Sequence, residues 1–456
     1  MNKSIDDILW ITLCAGLVFL MQAGFMCLEA GVTRRKNNIN VAMKNLADFG
    51  VSTLIFWLFG FALMFGASAG GWFGRSDFAP NLDFQDPFRD AFVVFQIMFC
   101  GTAATILAGA VAERMRFHSY LLIMVLIAGF SYPIFGHWAW AGLAQNEPVG
   151  WLARQGFVDF AGSTVVHSFG GWTSLAALLI LGPRMGRFPK DGLPRRMQGA
   201  DIPLATLGTF ILWFGWFGFN GGSTFAANGQ IPTIIANTLL AGSGGLVAAL
   251  LLGWRIRKTA AVDLSLNGVL AGLVAVTAGA NAYSSLAAVI VGAIGGMVMV
   301  GCDIVLERLR IDDAVSAIPV HLGAGIWGTL AVALFGIPER LNTGLSFWNQ
   351  LGVQGLGIVA CGIWTFCVTY VALSIVNRFS PLRASPPDEE IGLNVSEHGA
   401  TTDLLDLFMV MDRQSKTGDL SLRVPVEPSL RSVRSPGATT AGWIRSNRPW
   451  RAPRRS

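Results

Sequence analysis

Charged side chains are scarce in this sequence. Lys, Arg, Asp and Glu together make up 13% of the 456 residues, whereas a soluble domain carries about a quarter. Hydrophobic residues make up 53%, and there are 54 glycines, which fit a membrane protein because small residues let membrane helices approach closely. The composition therefore excludes a soluble enzyme and predicts a polytopic membrane protein.

Cysteines at metal-binding or redox spacing are also lacking. The six cysteines lie in apolar runs and none belongs to a Cys-x-x-Cys motif, so the sequence indicates neither a disulfide framework nor a zinc site. The net charge of +5 is small. It indicates the orientation of the chain in the membrane more than the nature of a binding partner. No cleavable signal peptide is evident, because Asp6 and Asp7 precede the first apolar run and no basic segment does.

Eleven apolar segments of about membrane-spanning length follow one another. One alternate set of connections holds sixteen Lys and Arg residues, and the other set, with the N-terminus, holds five. Because positively charged connections stay in the cytoplasm, this bias predicts an extracytoplasmic N-terminus and a cytoplasmic C-terminus. The predicted spans are 8–30, 45–67, 88–111, 119–140, 161–182, 202–222, 231–254, 264–280, 285–306, 315–336 and 350–376.

This orientation also predicts an internal repeat. Spans 1–5 would begin outside the cell and spans 6–10 inside, so the two halves would have inverted topology and meet around a site near the membrane midplane. We therefore predict an all-α polytopic membrane protein of eleven transmembrane helices, with an inverted 5+5 repeat and one additional helix.

The last span of each predicted half carries a histidine. His167 ends the stretch D-F-A-G-S-T-V-V-H, which begins at Asp159, and His321 lies in P-V-H-L-G-A-G. An ionisable residue inside a membrane span is costly and usually marks a pathway or a site. The alternative is a core histidine satisfied by neighbouring backbone, although no other charged residue separates Asp159 from Arg184.

The pseudo-symmetry would bring the two imidazoles together at the centre of the repeat. Two apposed rings can share one proton, and their titrations would be coupled. Such a pair can accept a proton, donate one or hold a small polar molecule. A metal site is the rival interpretation, but neither His167 nor His321 has a His, Cys or carboxylate three or four residues away, and zinc needs about four ligands.

Aromatic residues lie where the outer ends of spans are expected. The chain has 31 Phe and 15 Trp but only 4 Tyr. Trp138 and Trp140 end one span, and Trp216 and Phe219 precede the motif N-G-G-S in another. An aromatic face attracts a cation, and a neighbouring hydroxyl could accept a hydrogen bond from it. The alternative is an aromatic belt at the membrane interface.

Five motifs are more specific than these patterns. They are M-Q-A-G-F-M-C-L-E-A-G at 21–31, G-A-V-A-E-R-M-R-F at 109–117, D-F-A-G-S-T-V-V-H at 159–167, W-F-G-F-N-G-G-S at 216–223 and P-V-H-L-G-A-G-I-W-G at 319–328. Over about residues 5–400 the chain resembles the Amt/Mep/Rh ammonium transporters, and in particular their bacterial Amt branch. The resemblance implies a homotrimer in which each eleven-span protomer holds its own narrow hydrophobic pore.

The resemblance also implies site residues, by their positions within the motifs. These are twin histidines at His167 and His321, an external cation site of Phe99, Trp140 and Ser223 supported by Asp159, a stacked gate of Phe99 and Phe219, and a pore-lining Trp216. The role of Phe99 comes from the resemblance alone. This chain departs from the family pattern at Ser163, Phe169 and Ser316, and none of these departures removes a pore residue.

The sequence changes character after Phe379. Residues 1–379 are expected to form the ammonium transporter transmembrane domain, and residues 380–428 a cytoplasmic region with a short amphipathic helix at 401–411. This region resembles that of Amt-type sensors, in which a transporter-like domain precedes a signalling domain. Residues 429–456 would be a basic disordered tail.

Acidic residues are absent from residue 429 to the end, and arginine is frequent there. This abrupt shift favours the hypothesis that a frameshift replaced the signalling part. The alternative is a native basic tail that meets anionic lipid.

The sequence thus predicts a protein that transports ammonium or ammonia across the inner (plasma) membrane. The protein is not expected to be an enzyme. The alternative is an ammonium sensor that binds its ligand with little flux and signals through residues 380–428, and a membrane metalloenzyme is a third interpretation. Expected partners are the lipid membrane, further copies of the chain, and a PII-type regulatory protein or a signalling domain on the cytoplasmic side. Neither a cofactor nor a nucleic acid is expected.

Overall fold

The computed structural model describes residues 3–142, 147–401 and 403–423, and most of these residues are helical. Within these ranges, ten helices are long and apolar enough to cross a membrane. A shorter apolar helix, Val262–Thr277, lies at the position of the predicted eighth span. The all-α polytopic fold predicted from the sequence is confirmed, whereas the eleventh span and the orientation of the termini stay predictions.

We label these eleven helices in chain order. They are α1 Ile5–Val32, α2 Arg35–Phe65, α3 Pro87–Ala110, α4 Phe117–Trp140, α5 Ser163–Leu181, α6 Ile202–Gly222, α7 Ile231–Arg257, α8 Val262–Thr277, α9 Ser285–Arg308, α10 Ile318–Phe335 and α11 Phe347–Phe379. The short helices Trp151–Arg154 and Pro338–Leu341 and a hairpin that pairs Ser68–Ala69 with Phe73–Gly74 lie in the connections.

Several helices begin with a polar cap. The Ser4 hydroxyl accepts a hydrogen bond from the Asp7 amide at the start of α1, and Asp86 caps α3 before its first residue, Pro87. Asp201 caps α6 in the same way. Such caps satisfy amide groups that have no partner within the helix, and proline fits the first turn because the missing N–H would be unpaired there.

Helix α2 begins about ten residues earlier than the predicted span at 45–67. Its first turns are polar, yet Asn40, Lys44, Asn45 and Asp48 are buried. The Lys44 ammonium donates to the Met115 carbonyl at 2.6 Å. Each of these residues hydrogen-bonds to a distant part of the chain, so hydropathy alone places the start of this helix too late. Lys44 also belongs to the buried part of a helix rather than to a basic connection.

The close contact between one helix of each predicted half depends on glycine. Helices α1 and α6 pack along each other, and a Cβ added at Gly208 of α6 would lie 2.4 Å from the Leu28 nitrogen of α1. A Cβ at Gly24 of α1 would lie 2.8 Å from the Leu212 side chain. The high glycine content therefore contributes here by letting two backbones approach, as in other membrane helix pairs.

A buried ion-pair network ties together the connections at one end of the helices. Arg184, after α5, pairs with Asp312 and with Glu113 at 2.8 Å each, and Glu113 also pairs with Arg34. Burial acts to raise the pKa of Asp312, but hydrogen bonds and charge from Arg184 outweigh it and hold the pKa below its usual range. The same balance, with Arg184 and Arg34, lowers the pKa of Glu113.

The segment after α11 packs against this end. The Ala384 amide donates to the Arg114 carbonyl at 2.8 Å, and the Arg116 amide donates to the Leu382 carbonyl at 2.9 Å. Two short helices follow, α12 Pro386–Ile391 and α13 Leu393–His398. Residues up to Gly399 form one compact unit. The predicted domain boundaries after residues 379 and 428 stay predictions.

A second unit begins at Ala400. Its described part contains helix α14, Asp403–Thr417, in the region where the sequence predicts a short amphipathic helix. The predicted basic tail at 429–456 lies outside the described residues.

Candidate functional site

Both histidines lie in irregular turns at the start of a helix. His167 belongs to a π-helical segment, Ser163–Ser168, at the start of α5. His321 belongs to a second such segment, Ile318–Gly323, at the start of α10. π-Helical turns are frequent at functional sites, and two further segments of this kind, Phe56–Gly60 and Ile127–Ser131, lie within α2 and α4.

An aspartate organises each of these turns. The Asp159 carboxylate accepts hydrogen bonds from the amides of Gly162, Thr164 and Val165 at 3.1, 2.9 and 2.8 Å. Its oxygens thus bind the backbone at the start of α5, and the support of a cation site that the resemblance implies for Asp159 stays a prediction. The resulting turn is rigid, since three otherwise unpaired amides are satisfied.

Asp313 plays the same part for α10, and the sequence analysis missed it. Its carboxylate accepts hydrogen bonds from the amides of Val315 and Ile318 at 3.3 and 2.6 Å. Asp159 and Asp313 each lie eight residues before a histidine. That shared offset is a signal by which the sequence could have identified Asp313.

The two imidazoles meet directly. Nδ1 of His167 lies 3.1 Å from Nδ1 of His321, and the ring planes are inclined by 19°. Both residues are buried, with exposed fractions of 0% and 4%. A hydrogen bond between two Nδ1 atoms requires that one of them carries a proton and the other does not. The pair is therefore built to hold one shared proton.

Aromatic rings enclose the histidine pair. The Trp216 ring stacks on His167 with centroids 5.1 Å apart and an angle of 20°, and its Nε1 donates to the Thr277 hydroxyl at 2.8 Å. Phe219 lies 5.5 Å from His167 on the same side. His167 Nε2 is buried and has no hydrogen-bond partner among the described residues. The surroundings of the pair are thus buried and largely apolar.

Phe219 also forms a stack with Phe99. Their rings are 4.0 Å apart and inclined by 13°. Phe219 contacts both Phe99 and His167. The stacked rings therefore separate the histidine pair from the space on the far side of Phe99. The two rings come from α3 and α6, which belong to different predicted halves.

On that other side is a cavity of about 810 Å³, which we call the vestibule. Phe99, Trp140, Asp159 and Ser223 all line it. Trp140 Nε1 donates to the Asp159 carbonyl at 2.8 Å, and the Trp140 ring lies 5.9 Å from Phe99. The Ser223 hydroxyl donates to the Phe219 carbonyl at 2.9 Å, which leaves its oxygen lone pairs available as acceptors.

Trp138, the other tryptophan at the end of α4, lies elsewhere. Its ring packs against Trp72, Trp151 and Trp364 at 5.2 to 5.7 Å, and it does not line the vestibule. The structure thus separates two tryptophans that are two residues apart in sequence. As to metal binding, no group of three or more His, Cys, Asp and Glu side chains in the described ranges could hold a metal ion.

Comparisons with known proteins identify relatives over most of the chain. Residues 9–403 match the model of the Ammonium Transporter Family. The chain is similar to a candidate ammonium transporter of Synechocystis sp., with 54% identity over 92% of this chain and 79% of that protein. It is also similar to the ammonium transporter Amt2 of Archaeoglobus fulgidus, with 40% identity over 86% and 87% of the two chains.

Solved structures are similar over the same region. A structure described as a sensor Amt protein has a TM-score of 0.83 and 42% identity, covering 86% of this chain and 98% of its own. Mep2 of Candida albicans has a TM-score of 0.77 and 26% identity, covering 85% and 88%. With the family model matched over most of its length and relatives well above 30% identity, the chain belongs to the Ammonium Transporter Family.

Proposed function

We propose that this protein moves ammonium or ammonia across the plasma membrane through a pore that runs from the vestibule past Phe99 and Phe219 to His167 and His321. The observation that carries the proposal is the order of these residues in space. The ring centroids of Phe99 and Phe219 are 4.0 Å apart, and those of Phe219 and His167 are 5.5 Å apart. These rings form a continuous series from the vestibule to the histidine pair.

Recruitment would occur in the vestibule. Phe99 and Trp140 present aromatic faces, and an aromatic face attracts a partly dehydrated cation by up to about 2 kcal/mol. The lone pairs of the Ser223 hydroxyl accept a hydrogen bond from ammonium, which potassium cannot donate. Asp159 holds the turn beside Trp140 in place and does not itself need to contact the ion.

Selectivity would follow from the stacked phenylalanines and the dry pore beyond them. A cation that enters an apolar pore loses its hydration at high cost. Ammonium can leave its proton behind and continue as neutral ammonia, but potassium has no proton to give. The histidine pair then offers both a hydrogen-bond partner for ammonia and a relay for the proton, because one Nδ1 is protonated and the other is not.

We further propose the assembly and placement that the family resemblance implies. The protein would be a homotrimer in the plasma membrane, with an extracytoplasmic N-terminus and the vestibule facing outward. It acts as a transporter and not as an enzyme, without a resident cofactor. The ion-paired face that carries residues 380–399 would then be cytoplasmic, where a PII-type regulatory protein or a signalling domain can reach it.

An ammonium receptor is the second candidate. It is favoured by one observation, the 42% identity and TM-score of 0.83 to a structure described as a sensor Amt protein. In this case the vestibule would bind ammonium with little flux, and the region after α11 would pass on the signal.

One experiment separates the two candidates. The full chain is reconstituted in liposomes and given an ammonium pulse, while charge movement and internal pH are recorded, and ammonium binding to the purified protein is measured by calorimetry. Transport predicts a sustained response that saturates with ammonium and is lost in His167→Ala and His321→Ala. Binding without a sustained response supports the receptor, and the absence of both binding and response contradicts the proposed function.

A further inference from the structure

A second, small cavity touches the histidine pair and shares no lining residue with the vestibule. His321 lines it, together with residues of α1, α3, α8 and the segment that leads into α10. Its volume is about 20 Å³, which is enough for roughly one water molecule. The cavity therefore extends the path from His321 away from the vestibule.

Glu29 contributes the acidic side chain of this cavity. It lies in membrane-spanning helix α1 with an exposed fraction of 2%, and a buried carboxylate in such a helix is costly and usually functional. Its Oε2 accepts a hydrogen bond from the Asn45 amide at 2.8 Å. The transport path described above gives Glu29 no role.

Glycine lets α3 pack closely against the other carboxylate oxygen. A Cβ added at Gly109 would lie 2.8 Å from Glu29 Oε1 and 2.5 Å from the Val315 side chain, so a glycine is needed beside Oε1. Two charged side chains of α2, Asp48 and Lys44, act electrostatically on Glu29, and neither of them lines the cavity.

A water in this cavity would find the partners that it needs. His321 uses Nδ1 for the bond to His167, so Nε2 remains free to bind the water. Glu29, Asn267 and Ser316 also line the cavity, and a buried water typically makes about three hydrogen bonds. One water can thus connect the histidine pair with the carboxylate.

We infer that Glu29 accepts the proton from the histidine pair and returns it to ammonia on the side away from the vestibule, a role that rests on the proposed transport function. A proton moves from His321 Nε2 through the water to the carboxylate, which breaks an N–H bond and forms an O–H bond. The proton that ammonium leaves behind enters at His167 Nε2, and the shared proton shifts from His167 Nδ1 to His321 Nδ1, so the pair regains the proton that it gave up. The resulting carboxylic acid protonates the departing ammonia. Ammonium leaves, Glu29 is again a carboxylate, and each cycle moves one positive charge.

The test compares Glu29→Gln with Glu389→Gln in the full chain in proteoliposomes. Glu389 is an equally buried acidic residue, held by Met185 and Arg383, and it does not line the cavity, so it controls for the loss of a buried acid. Ammonium-driven charge movement and the internal alkalinisation caused by ammonia entry are recorded separately. We expect Glu29→Gln to lose at least tenfold in charge movement while ammonia entry continues, and Glu389→Gln to keep wild-type charge movement.

Wild-type charge movement in Glu29→Gln would overturn the inference and leave the proposed function intact. Loss of both signals in the wild-type protein would instead contradict the proposed function itself. If Glu29→Gln does not assemble, Glu29→Asp retains the charge and withdraws it by one methylene. We expect charge movement at least threefold slower in that variant, and an unchanged rate would count against a proton-accepting role.

Discussion

Phe99 and Phe219 stack face to face with ring centroids 4.0 Å apart, although 120 residues separate them in sequence. The stack lies between the vestibule and the histidine pair and brings together helices α3 and α6. An apolar plug at this point imposes the desolvation cost on which the proposed selectivity depends.

The stack gives the first prediction. Phe219→Ala removes one ring and opens a route for partly hydrated ions, so potassium should now compete with ammonium. We expect a severalfold loss of ammonium charge movement when potassium is added, whereas the wild-type protein should be insensitive. Phe135→Ala is the control, because it truncates a buried ring that packs against Trp138 and does not line the vestibule. Equal potassium sensitivity in both variants would remove the assignment of the gate.

The two tryptophans at the end of α4 give the second prediction. Trp140→Leu should raise the ammonium concentration for half-maximal uptake by roughly 5- to 30-fold, because a cation–π contact contributes up to about 2 kcal/mol. Trp138→Leu should leave this concentration unchanged and lower the thermal stability, since Trp138 packs in a separate aromatic cluster. Uptake titrations and melting curves check both, and equal shifts in affinity would contradict the cation site.

Asp159 gives the third prediction. Asp159→Ala leaves three backbone amides without an acceptor, and each buried unpaired group costs about 1–3 kcal/mol. We expect the largest loss of thermal stability and of uptake in this variant. Asp159→Asn should lose less, since its carbonyl oxygen can still accept. Asp77→Ala is a suitable control, because Asp77 pairs with Arg89 at the surface, where an ion pair contributes little.

The ion-pair network gives a prediction about pH. The pKa of Asp312 is lowered in the folded protein, so the carboxylate stabilises the fold above its unfolded pKa of about 3.9. This contribution is lost as the pH falls toward the lower, folded pKa. The melting temperature should therefore decrease as the pH falls below about 4.

Asp312→Asn tests the source of this pH dependence. The variant should be less stable by about 3–5 kcal/mol near neutral pH, because Arg184 loses one partner of a buried pair. Its melting temperature should also change less with pH below about 4. A variant as acid-sensitive as the wild-type protein would show that other carboxylates cause the loss of stability.

Sequence alone determined the class of protein and the main candidates for the site. Hydropathy over long segments identified the membrane-spanning helices, because a span must be apolar along most of its length. His167 and His321 were identifiable because an ionisable residue is conspicuous in such a segment. The motifs around them carried the family resemblance, and through it the role of Phe99.

Only the tertiary structure decided which side chains share a cavity. The burial of Lys44, the direction of the Asp159 oxygens and the different surroundings of Trp138 and Trp140 depend on partners far away in the sequence. Glu29 is 292 residues from His321, yet both line one small cavity. Local patterns set which residues can form a helix, but contacts between helices arise from packing in three dimensions, and no local pattern encodes them.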